Sequence, residues 1–181
     1  MPSSLNLDSI KEIASTALAI TSQDWKELGQ GSDEHVVAVS DLPELVDRVT
    51  CLLTIRLAAW LLPHGTFSDL STTAICRDLL IKGEDLLTSD EHDFMSTIPL
   101  LHTYTESILS QYQDVPYHNV EHAYHVIIST NKLLDMILLT NAREVKTFGL
   151  RDDALMQLAL LFSAVLHDVE HVRKPLVYLA C

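Results

Sequence analysis

Apolar residues in this chain recur at three- and four-residue steps over long stretches and form no alternating strand pattern. The clearest stripe is Phe94, Ile98, Leu101, Tyr104, Ile108 and Leu109, which a helix gathers on one face. A sheet needs a period of two to present an apolar side, so packed helices are the layers open to this chain. Composition agrees: the chain is 48% apolar, only 6% aromatic, and holds five glycines and six prolines. Leu, Ala and Ile favour helix, whereas a sandwich draws on aromatic and β-branched residues. The expected fold class is all-α, a compact multi-helix bundle.

The segment boundaries follow from caps and breakers. Ser3 or Ser4 could cap a first helix through Ile10, Ile13, Leu18 and Ile20. A polar stretch from Thr21 to Glu34 follows, with Gly29 and Gly31 as breaks. Ser40-Asp41-Leu42-Pro43-Glu44 is a helix start, with a capping residue, an early acid and a proline in the first turn. That helix should end near Pro63. Helices are expected over roughly Leu70–Ile81 and Glu91–Tyr112, then from Pro116 through Ile137. Thr140–Asp153 reads as a loop and Ala154–His171 as a strongly apolar core helix. At 181 residues one domain suffices. Residues 1–35 read as a loosely attached N-terminal extension and residues 36–181 as the folded domain.

Charge narrows the partners. A formal net charge of −13 argues against a nucleic-acid surface, which needs clustered Lys and Arg. An anionic small ligand remains open, because bound divalent cations supply positive charge locally. Cys51, Cys76 and Cys181 stand far apart with no C-x-x-C pair, which suits buried thiols in a reduced compartment. The N-terminus lacks a basic, then apolar, leader pattern. The apolar runs Leu57–Leu62 and Leu158–Leu166 are too short to span a bilayer. A cytoplasmic chain without a membrane span is expected.

Five of the nine histidines fall within two short motifs, Tyr117-His118-Asn119-Val120-Glu121-His122-Ala123-Tyr124-His125 and His167-Asp168-Val169-Glu170-His171. On a helix His118, His122 and His125 share a face, as do His167 and His171. His and Asp side chains converging from two helices could hold a divalent cation and leave positions free for water and substrate. The lone His35, His64, His92 and His102 have no partners at ligand spacing and are expected at the surface.

Tyr-His-Asn-x-x-His-Ala-x-x-Val, followed by an apolar helix ending in His-Asp-x-x-His, resembles the catalytic domain of class I 3′,5′-cyclic nucleotide phosphodiesterases, within the HD-type metal phosphohydrolases. The likeness runs from about Glu91 to His171. It implies that His118 protonates the leaving O3′ of the cyclic phosphate and that His122, His167 and Asp168 are metal ligands. Tyr117, Asn119 and His171 would support those ligands from behind. The implied cofactors are two divalent metals, zinc plus magnesium or manganese. The implied reaction is hydrolysis of cAMP or cGMP to the 5′-monophosphate by a metal-activated hydroxide, in cyclic-nucleotide signalling.

The chain departs from that pattern at His125 and Glu170, where the family commonly has Asp, and at Val172-Arg173, where it has Pro-Gly. No family pattern is recognisable over Lys174–Cys181. The resemblance thus implies the N-terminal portion of the domain, without the purine-binding half. Two other readings stay open. One is a non-catalytic metal- or partner-binding fragment that self-associates through exposed apolar surface. The other is a different HD-type nucleotide phosphohydrolase.

Overall fold

The structure is a computed structural model that describes residues 6–22, 41–62, 65–86, 92–115, 117–140 and 149–169. The expected cap at Ser3 or Ser4, the breaks at Gly29 and Gly31, and His35, His64, Glu170, His171 and Cys181 lie outside the described residues. So does most of the expected 1–35 extension beyond its helix. Within the described residues all regular structure is helical: α1 (Leu7–Ser22), α2 (Leu42–Leu61), α3 (Thr72–Leu86), α4 (His92–Leu109), α5 (Val120–Leu139) and α6 (Ala154–Leu166). None of these helices is long and apolar enough to cross a membrane.

Local chemistry sets the helix starts. At α1 the carbonyl oxygen of the Asn6 side chain accepts the Ser9 backbone N–H at 3.0 Å. At α6 an Asp153 carboxylate oxygen accepts from the Met156 N–H at 2.8 Å. Both satisfy donors that a first helical turn leaves unpaired. At α2 the Asp41 side chain makes no capping bond, and Pro43 supplies the preset φ of a first turn instead. Gly149, at φ +85°, opens the turn that delivers the chain into α6. A Cβ there would meet nothing within 4 Å, so backbone conformation alone calls for glycine.

The bundle is organised around α2, which contacts each of the other five helices. Every residue from Val49 to Ala58 is buried. A helix enclosed on all sides belongs at the centre of a core. Truncating Leu52 or Leu53, at 1% and 0% exposure, to alanine would cost about 2–5 kcal/mol. Around α2, α1 lies against α3, α4 packs on α2, and α5 and α6 pack on each other. Burial pushes the thiols of Cys51 and Cys76 up to about 12, so both stay protonated and unreactive.

At the heart of this packing sits Arg56, a fully buried guanidinium. Its Nη2 donates to Asp135 Oδ1 at 2.8 Å, Thr72 Oγ1 at 2.8 Å and Asn131 Oδ1 at 2.9 Å. Its Nη1 donates to the Leu70 carbonyl at 2.6 Å and Gln157 Oε1 at 3.0 Å. Thr72 also donates its backbone N–H to Asp135 Oδ1 at 2.8 Å. Desolvation disfavours the charge, and Asp135 opposes that loss. One side chain thereby ties α2 to the start of α3, to α5 and to α6.

Two sequence expectations shift. In the α4 stripe Tyr104 is 48% exposed, and Thr105 occupies the core position instead; Tyr104 lies against Phe162 with ring centroids 6.0 Å apart. The Ala154–His171 helix stops at Leu166, and His167–Val169 form a turn. Along α6 no residue is charged, and its outer side leaves Leu155, Met156, Leu160 and Leu166 exposed.

Candidate metal centre

Asn119, the third residue of the first motif, is the N-cap of α5, its side-chain oxygen accepting the His122 backbone N–H at 2.9 Å. His118 therefore precedes the helix, while His122 sits in its first turn. The two do not share a helical face as the spacing predicts, yet the bend at Asn119 returns the His118 ring to within 5.8 Å of the His122 ring, edge on. In the second motif His167 and Asp168 likewise lie outside the helix. The turn after α6 presents His167 and Asp168 from the C-terminal end of that helix.

Both motifs meet at one carboxylate oxygen. Asp168 Oδ2 lies 2.7 Å from His118 Nδ1, 3.1 Å from His167 Nε2 and 3.5 Å from His122 Nε2. His122 Nε2 and His167 Nε2 are 3.3 Å apart. His167 Nδ1 faces the Ala164 carbonyl at 2.8 Å. A carbonyl only accepts, so Nδ1 carries the proton and Nε2 keeps its lone pair toward the cluster. Burial, then the His167 ring, hold the His122 imidazole below its ordinary value of 6.5, with Asp168 pulling the other way. A neutral imidazole is the form that binds a metal.

The distances sort ligands from neighbours. His118, His122 and Asp168 bring one donor atom each within 4.8 Å of one another. Two atoms bound tetrahedrally to one zinc through bonds of about 2.0–2.1 Å stand about 3.3 Å apart. The His122–His167, His167–Asp168 and His122–Asp168 separations of 3.3, 3.1 and 3.5 Å all match. The His118–Asp168 separation of 2.7 Å is a charge-assisted hydrogen bond, too short for two ligands on one ion. His122, His167 and Asp168 are thus spaced as ligands of one divalent ion would be, and His118 lies within hydrogen-bond distance of Asp168.

The remaining motif residues are dispersed. Tyr117 is 74% exposed and makes no side-chain hydrogen bond to the described residues. His125 is half-buried, with its ring centroid 6.1 Å from that of Tyr124, and lies outside the donor cluster. His102 is not an isolated surface residue, because its Nε2 lies 3.0 Å from Asp47 Oδ1. A cleft of about 350 Å³ opens beside the first motif between Tyr112–Asp114 and Asn119–Glu121. A larger one of about 460 Å³, walled by Trp60 and Phe67, lies at the opposite, N-terminal end of α6 and contains no histidine cluster. Chemistry, not volume, identifies the site.

Sequence reading passed over Tyr112, whose hydroxyl donates to the Val165 carbonyl at 2.7 Å. Its position six residues before His118 was the available signal. No family model, curated protein or solved structure matches this chain.

Proposed function

We propose that this chain carries the metal-binding and proton-donating part of a 3′,5′-cyclic nucleotide phosphodiesterase site. The observation that carries the reading is the meeting of His118, His122, His167 and Asp168 at a single carboxylate oxygen, with the motif order of that family. His122, His167 and Asp168 would hold zinc, with magnesium or manganese beside it as the resemblance implies. When bound, such cations neutralise a phosphodiester and lower the pKa of attacking water.

The chain's own residues supply the rest. His118 bonds through Nδ1 to Asp168, and its imidazole would protonate the departing alkoxide oxygen, as the resemblance implies. Asp168 holds that ring in orientation. Asn119 anchors the turn between the proton donor and the first ligand. The His167 ring is fixed by the Ala164 carbonyl, so its free nitrogen needs no rearrangement to bind.

The test is hydrolysis of cAMP and of cGMP by the purified chain in zinc plus magnesium, with His122→Ala alongside. Stoichiometric zinc and hydrolysis that His122→Ala abolishes are expected. Zinc bound without turnover of either nucleotide would move the reading to a non-catalytic metal-binding fragment. Neither zinc nor turnover would overturn it.

A further inference from the structure

The α6 helix ends where its last carbonyls lack intrahelical partners. Three of them are satisfied in this structure. The Ala164 oxygen faces His167 Nδ1 at 2.8 Å, the Val165 oxygen takes the Tyr112 hydroxyl at 2.7 Å, and the Leu166 oxygen takes the Val169 N–H at 3.3 Å. That Tyr112 bond sits one turn before His167 and Asp168 and closes the end of the helix that carries them.

Tyr112 also belongs to the strand of chain leading from α4 into the first motif. Between it and His118 only five residues intervene, and the segment is anchored behind Tyr112 by backbone bonds from Gln111 to Ile108 and from Tyr112 to Leu109. The hydroxyl thus joins the segment bearing His118 to the turn bearing Asp168, whose side chains meet at 2.7 Å.

We infer that Tyr112 is a positioning residue: its hydroxyl ties the segment leading to His118 to the end of α6 and sets the spacing of His167 and Asp168 against His118 and His122. Tyr112 acts through the turn that follows Val165. The inference deepens the proposed metal site and rests on that reading for its functional consequence, while the Tyr112–Val165 tie itself stands on geometry.

Tyr112→Phe removes the hydroxyl and keeps the ring. Two readouts test it on the full chain. In metal-free protein, amide hydrogen exchange at Asp168 should accelerate roughly fivefold or more as the turn after α6 loosens, with α2 amides unchanged. In a zinc titration well below the melting temperature, affinity should fall roughly tenfold, the usual effect of losing a group that orients a ligand. Ile75→Val, a core change on α3, serves as the comparison; it should lower the melting temperature and leave zinc affinity unchanged. Unaltered Asp168 exchange in Tyr112→Phe overturns the inference. So does unaltered zinc affinity in a chain whose parent binds zinc. A parent chain that binds no zinc sinks the metal site, and exchange at Asp168 then decides the role of Tyr112 alone.

Discussion

His118 Nδ1 and Asp168 Oδ2 stand 2.7 Å apart across 50 residues of chain. That separation is hydrogen-bond distance, and on the proposed reading it sets His118 apart as a proton donor beside three metal ligands. Asp168→Asn should therefore weaken zinc binding by more than about tenfold. His118→Ala should leave zinc affinity within about threefold and reduce hydrolysis by about 10²–10⁴. Equal losses of zinc affinity in both variants would place His118 among the ligands instead. Isothermal titration and a hydrolysis assay separate the outcomes.

Asn119 offers a purely structural test. Its side chain caps the first turn of α5 by accepting the His122 backbone N–H, so Asn119→Ala should cost about 1 kcal/mol. Asn119→Asp should recover most of it, because a carboxylate accepts the same bond and suits the positive end of the helix dipole. Urea denaturation measures both. If alanine proved neutral, the cap would contribute nothing.

The pH dependence has a definite sign. His122 is held below 6.5 in the folded chain, so as pH falls the unfolded chain takes up that proton first. Stability contributed through His122 is then full above 6.5, falls as pH drops below it, and levels off below the folded value. The urea midpoint should decline between pH 7.5 and 5.5, and His122→Asn should remove part of that decline. A parent and variant with identical slopes would refute the assignment.

Much of the fold was legible because helices write their burial into local spacing. The stripe through Phe94, Ile98, Leu101 and Ile108 is buried as its period demands. The one misfit, Tyr104, is a residue whose hydroxyl and ring suit a boundary as well as a core. The candidate site was legible as residue types in two motifs. Its geometry was not, since helical spacing was assumed for residues that lie in a cap and a turn. Arg56 and Tyr112 escaped because their partners are distant: Asn131 and Gln157 lie 75 and 101 residues from Arg56. No local pattern announces which arginine in an apolar run will find a carboxylate.

Around Arg56, breaking one partner should cost more than removing both. Arg56→Met would strand Asp135, itself 5% exposed, at a cost of about 3–5 kcal/mol. Arg56→Met combined with Asp135→Leu should be less damaging than the sum of the single changes. A double-mutant cycle in urea reads this directly. Additive losses would show that the pair contributes nothing as a pair.

The same arginine also dictates a schedule. Its partners come from the entry to α3, from α5 and from α6, so the last of them, Gln157, leaves the ribosome about a hundred residues after Arg56. Until then the guanidinium has no complete set of partners and is better off in water. The centre of the bundle must therefore stay open through most of synthesis, and closure must wait for α6. The last of the described helices brings His167 and Asp168 with it, so the core and the proposed metal site would be completed in one late event.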